Sequence, residues 1–212
     1  MYNMPKKNTK RFSKRSLSSL VKDVRELKKE SAANKGIIDV GNSNNISTST
    51  SWLHSCFQCA QGTELDDREG NSIVAHSVNF RGIIGRGDTD QNIVRLLCVQ
   101  FESYQDATIS EVMQYSTPAT LLPRQALYSP YKVNGDCKYK VLFDKTYSLP
   151  NIISEKVINE TVRIPKSSNI MKYTAGTTQV PSTNCVLWYA VSDSQVVIHP
   201  QIDFHCRERF SK

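Results

Sequence analysis

Acidic residues are missing from the first 15 positions of this 212-residue chain, and only Asp23, Glu26 and Glu30 occur before residue 36. A stretch with no acids and almost no large apolar side chains cannot build a core, which predicts disorder over residues 1–15 unless a partner is present. No apolar run approaches the roughly 20 residues of a membrane span. No apolar segment follows the basic N-terminus, so neither a secretory signal nor membrane insertion is expected, and cytoplasm or nucleus is the expected compartment. Histidine is scarce. His54, His76, His199 and His205 are the complete set, and none lies in a nucleophile elbow or a zinc-protease pattern, which argues against an enzyme. Strong helical periodicity is also scarce, which argues against a helical bundle.

What the N-terminal stretch does have is positive charge. Residues 1–35 hold eleven basic side chains against three acids, a net charge of +8, while the whole chain is +7. Residues 36–212 are therefore close to neutral, at −1. A cationic arm on a neutral body points to a polyanionic partner gripped by the arm. The candidate nucleic-acid contacts are Lys6, Lys7, Lys10, Arg11, Lys14, Arg15, Lys22, Arg25, Lys28 and Lys29. The pairs Lys10-Arg11 and Lys14-Arg15 also suit a nuclear address. Only Tyr2 and Phe12 offer rings in the arm's tip, so phosphate contact outweighs base stacking. From Ser16, a plausible N-cap, Leu17, Leu20, Val21, Val24 and Leu27 recur at helical spacing and predict an amphipathic helix over 16–32. A helix this short is marginal in water, so its apolar stripe needs a neighbour such as another copy of itself, its own body or nucleic acid. The arm is assigned to residues 1–36 and a single body domain to residues 37–212.

The body reads as strands separated by turns. The expected strands are 51–58, 72–84, 92–101, 138–149, 155–164, 169–174, 185–191 and 195–209, with a short helix over 108–115. Residues 41–51 are polar and read as a loop or an edge strand. Within 72–84 the apolar phase changes between Ile73, Ala75 and Val78, Phe80, which predicts a bulge. Over 92–101 the density of apolar residues predicts burial on both faces. In 138–149, Tyr139, Val141, Phe143, Lys145 and Tyr147 alternate as if on one face. The longest connection, 102–137, is expected to make functional contacts. Short strands with turn signals predict an all-β sandwich or jelly roll of two packed antiparallel sheets.

Six cysteines are expected as thiols in a reducing compartment, with Cys98 and Cys185 in the core. His54-Ser55-Cys56-Phe57-Gln58-Cys59 holds zinc-ligand residue types, but a second close pair is wanting: His199, His205 and Cys206 are scattered. The simpler expectation is a strand with Cys56 and Cys59 on opposite faces. Metal ligands stay open. Glu64, Asp66 and Asp67 form an acidic loop that matches no calcium-loop spacing and reads as a solvated turn. Arg86-Gly87-Asp88 is a three-residue match to a receptor motif, explained equally by a hairpin turn with Gly at positive φ.

Several segments together suggest a family. Gln61-Gly62-Thr63, Arg68-Glu69-Gly70-Asn71-Ser72-Ile73 and Asn79-Phe80-Arg81-Gly82 form one series. Tyr128-Ser129-Pro130-Tyr131, the run from Tyr139 to Leu149, and Tyr173-Thr174-Ala175-Gly176 form another. In their order and spacing these segments resemble coat proteins of small circular single-stranded DNA viruses, and are similar to the satellite tobacco necrosis virus type. The resemblance implies a single eight-stranded jelly roll that assembles with itself into an icosahedral shell of roughly sixty subunits. It further implies an arm facing inward onto packaged nucleic acid, with DNA favoured over RNA. The virion would be the location, with host nucleus or cytoplasm during assembly; no receptor is indicated. Some relatives hold calcium between subunits, though the acids here do not align with those ligands. In roughly sixty copies the arms bring about 480 positive charges, which neutralise several hundred phosphates. A non-assembling nucleic-acid-binding β-sandwich is the alternative, and an enzyme or lectin on the same fold a third.

Overall fold

The computed structural model describes residue 25 and residues 35–87, 91–117, 124–133, 137–152, 154–174, 179–194 and 199–212. Nine strands carry the fold: β1 (Lys35–Asn45), β2 (Ser51–Ser55), β3 (Ser72–Gly85), β4 (Asn92–Ser103), β5 (Tyr139–Leu149), β6 (Glu155–Arg163), β7 (Ile170–Lys172), β8 (Thr183–Ser192) and β9 (Gln201–Ser211). One helical turn, α1 (Ile109–Val112), interrupts the connection between β4 and β5.

All pairings between these nine strands are antiparallel. One sheet runs β1-β9-β3-β6 and the other β2-β8-β4-β5. The short β7 pairs with the start of β3 and touches β8 through Lys172 and Thr183, joining the sheets at one corner. Setting β7 aside, the first sheet holds the first, eighth, third and sixth strands and the second holds the second, seventh, fourth and fifth. That interleaving is the double Greek key of a jelly roll, the architecture the sequence predicts.

The core lies between the sheets. Phe80 stacks on Phe204 at 4.9 Å from within the first sheet and meets Trp188 of the second at 4.4 Å, with Phe143 against Trp188 at 5.5 Å. Strict alternation in β9 buries Ile202, Phe204, Cys206, Glu208 and Phe210 and exposes the residues between them. β4 and β8 behave differently. Leu96 and Cys98 face the inter-sheet core, whereas Leu97, Val99, Phe101, Leu187 and Tyr189 face outward. There they are covered by Val112, Met113 and Tyr131 of the connection between β4 and β5. The second sheet is thus buried on both sides, as expected for 92–101, and the first sheet has one bare face.

The long connection is pinned by Arg95. Its guanidinium forks onto Asp144 at 2.9 and 2.7 Å and also donates to the carbonyls of Leu127 and Ser129. Tyr131 donates its hydroxyl to the same carboxylate.

The bulge anticipated in β3 lies between Ala75 and Ser77, where the buried phase changes. Of the two readings of residues 41–51, the edge strand holds for residues 41–45, the second half of β1, whose polar side chains suit an edge. Three expectations need correction. The helix expected over 108–115 is only one turn, because Met113 returns to extended backbone and bridges to Tyr131. In β5 a bulge at Leu142 splits the expected single face: Tyr139 and Val141 pack under the connection, Phe143 and Tyr147 into the inter-sheet core. The segment after β3 is a passage between sheets rather than a hairpin, and no described glycine has positive φ.

Candidate nucleic-acid interface

The residues expected to bind nucleic acid and the apolar stripe Leu17, Leu20, Val21, Val24 and Leu27 lie outside the described residues, with one exception. Arg25 is helical and exposed. The described cationic surface belongs to the body, and period-2 geometry generates it.

On the bare face of the first sheet the register sets outward side chains in rows. Ile37, Arg209, Ser77 and Arg163 form one row; Asp39, Arg207, Asn79 and Thr161 the next; Gly41, His205, Arg81 and Asn159 the third; and Ser43, Asp203, Ile83 and Val157 the fourth. Neighbouring strands are about 4.8 Å apart, so His205 stands beside Arg81, and Arg209 and Arg163 stand about 10 Å apart across β3. Arg207 is bidentate to Asp39 at 2.8 and 2.9 Å, and its hydrogen bonds hold the Asp39 carboxyl below its ordinary range. Arg81, Arg163 and Arg209 have no ion pair among the described residues. Three guanidiniums outside any ion pair, on a solvent-facing sheet with Asn and Thr between them, form a surface able to bind phosphates. Arg suits this role because its planar fork can take two phosphate oxygens at once.

Sequence reasoning missed this surface. Its members come from three strands separated by scores of residues, and the body's near-neutral total conceals a local excess. The one available signal is the alternation of His205, Arg207 and Arg209 with Phe204, Cys206 and Phe210 in β9.

A second basic zone lies elsewhere on the body, where a cavity of about 700 Å³ is lined by Lys138, Lys140, Lys166 and Lys172 with Gln100 and Asn184. Lys138 is paired with Glu102 at 3.5 Å. Gln100 is locked between the Ser168 hydroxyl and the carbonyls of Ser168 and Asn184, so it is a structural bridge rather than a free recognition group.

The remaining sequence candidates separate clearly. The strand expected over 51–58 stops at Ser55, and Phe57 adopts φ 61°. This turn puts both Cys56 and Cys59 in the core, correcting the opposite-face expectation. The Cys59 thiol lies 3.1 Å from the Tyr173 hydroxyl, while His54 and Cys56 approach Glu208. Cys98 and Cys185 are buried as expected. The Asp67 carboxylate accepts the backbone N–H of Glu64 within its own exposed turn. In the Arg-Gly-Asp segment, Arg86 donates to the Asn151 carbonyl at 2.5 Å, and Asp88 lies outside the described residues. No described helix is long and apolar enough to cross a membrane.

No protein-family model matches the chain, and no curated protein matches it. Among solved structures, a chain from Desmodium yellow mottle tymovirus aligns over 84% of this chain and 88% of that chain, at 11% identity and a TM-score of 0.32. At that distance the jelly-roll assignment stands on the strand pairing itself.

Proposed function

We propose that this chain is a viral coat protein that assembles with itself into a small icosahedral shell around a nucleic-acid genome. The reading is carried by one combination: a +8 stretch joined at Lys35 to the edge strand of a jelly roll whose bare sheet face, among the described residues, is itself basic. The arm, residues 1–36, neutralises phosphates inside the particle, and Arg81, Arg163 and Arg209 extend that contact onto the body. Binding is independent of sequence and strongly salt-dependent, because backbone charge is what is recognised. The motif resemblance favours single-stranded DNA as cargo. The role is structural; it calls for no catalytic group.

Light scattering on the full chain at moderate salt tests the proposal. Shell formation gives particles of about 1.4 MDa, the mass of roughly sixty 23.9 kDa subunits. They should carry nuclease-protected nucleic acid, with DNase and RNase digestion after disassembly identifying its kind. A monomer at every salt concentration, with or without added single-stranded DNA, would overturn the proposal.

A further inference from the structure

His54, Cys56 and Glu208 set an imidazole nitrogen, a thiol sulfur and a carboxylate oxygen within 4.8 Å of one another, all three residues buried. They come from opposite sheets. His54 is in β2, Cys56 in the turn just after it, and Glu208 in β9. His54 Nε2 lies 2.6 Å from one Glu208 oxygen, and the backbone N–H of Phe57 donates to the other. Phe57 provides that N–H from a left-handed conformation that a bulky residue adopts only when its surroundings impose it.

We propose that this cluster is a structural zinc site stapling the two sheets together. Nitrogen, thiolate and carboxylate are the donors that Zn²⁺ takes in tetrahedral sites. A carboxylate with no solvent exposure is costly in a sheet-to-sheet core, where leucine or valine would fill the volume without desolvation. Zinc gives it a purpose and balances its charge. The two positive charges of the ion meet one carboxylate, one thiolate and a neutral imidazole, so the loaded cluster is neutral. Binding displaces the Cys56 thiol proton and turns His54 Nε2 from the carboxylate to the ion. His54 Nε2 and the Glu208 oxygen are 2.6 Å apart. Two ligands about 2.0 Å from a tetrahedral ion stand roughly 3.3 Å apart, so binding opens the pair by less than about 1 Å. Phe57 N–H orients the carboxylate from behind, the second-sphere contact that ligating carboxylates need. A fourth position remains for water.

The ligand set differs from what the sequence spacing suggests. Cys59, the natural partner of Cys56 in a short motif, is held by Tyr173, and its place is taken by a glutamate 152 residues further along the chain from Cys56.

Metal analysis of the full chain, purified without chelator and dialysed against metal-free buffer, should find about one zinc per chain. Removing it with a strong chelator should lower the melting temperature by roughly 5–10 °C, and added Zn²⁺ alone should restore it. Substituting Co²⁺ should give a thiolate-to-cobalt charge-transfer band. Cys56→Ser should abolish that band, Cys59→Ser should keep it, and Glu208→Gln should lose zinc while Cys185→Ser retains it. Zinc below a tenth of an equivalent, with a melting temperature indifferent to added Zn²⁺ in the unmutated chain, overturns the proposal whatever the variants do. So does zinc retention at the unmutated level by both Cys56→Ser and Glu208→Gln. The coat-protein reading is independent of either outcome, because shell mass and cargo are separate measurements.

Discussion

Arg95 is a side chain that holds two backbone carbonyls of the long connection. Four of its N–H donors serve the Asp144 carboxylate and two carbonyls of the long connection, with the Tyr131 ring 5.6 Å from its charge. Arg95→Ala leaves Asp144 with only the Tyr131 hydroxyl and two carbonyls unserved. The expected loss is about 3 kcal/mol, measured by denaturant unfolding. Burial raises the Asp144 pKa, but hydrogen bonds from Arg95 and Tyr131 outweigh it, so the carboxyl lies below its ordinary range. A depressed carboxylate contributes stability that is complete above the unfolded value near 4 and is lost as pH falls below it. Acid titration of unfolding should therefore show a steeper loss below about pH 4 in the unmutated chain than in Asp144→Asn; parallel curves would contradict the assignment. Gly82 is constrained for a different reason. A Cβ there would stand 2.6 Å from the Asp203 carbonyl oxygen, a backbone atom with no freedom to swing away. Gly82→Ala should cost about 1–3 kcal/mol through separation of β3 from β9, read from the melting temperature.

At the scale of elements, two bulges show what a sequence can and cannot disclose. The bulge in β3 was legible because one face of that strand meets solvent. Polar and apolar residues alternate there, and an extra residue visibly shifts the phase. The bulge at Leu142 was not legible. In that half of β5 one side faces the inter-sheet core and the other the covered outer face, so apolar residues stand on both and no phase break appears. Leu142 is the extra residue opposite the step from Cys98 to Val99, so its deletion restores a regular ladder. That variant should fold, with a loss of about 1–2 kcal/mol for the partly buried side chain. An alanine inserted between Cys206 and Arg207 should not be tolerated. It turns Arg207 and Arg209 toward the core of a strictly alternating strand, and circular dichroism should show no native sheet. The polar second half of β1 was legible as a loop or an edge strand, since the two share a composition, whereas residues 35–40, at the junction with the arm, carry too short an apolar alternation to stand out. Its pairing with β9 holds it through backbone bonds that side chains do not advertise.

For the whole molecule, charge placement matters more than total charge. Deleting residues 1–34 should leave the jelly roll folded and sharply reduce binding to single-stranded DNA, with a weak remainder on the sheet face. Arg81→Gln, Arg163→Gln and Arg209→Gln together in that truncated chain should lower the slope of log K against log salt by about 2, at roughly 0.7 for each phosphate no longer neutralised. The same reduction from Lys140→Gln, Lys166→Gln and Lys172→Gln, with no effect of the arginines, would move the binding surface to the lysine-lined cavity.

The cationic first 35 residues, the β-rich body and the burial of β4 on both faces followed from sequence, because each depends on composition or on neighbours within a few residues. The strand order, the arginine rows, the exchange of Cys59 for Glu208 beside Cys56 and the bulge at Leu142 were decided by tertiary structure. Each joins residues distant along the chain, and only the pairing of strands and the packing of one sheet on the other fixes which of them meet.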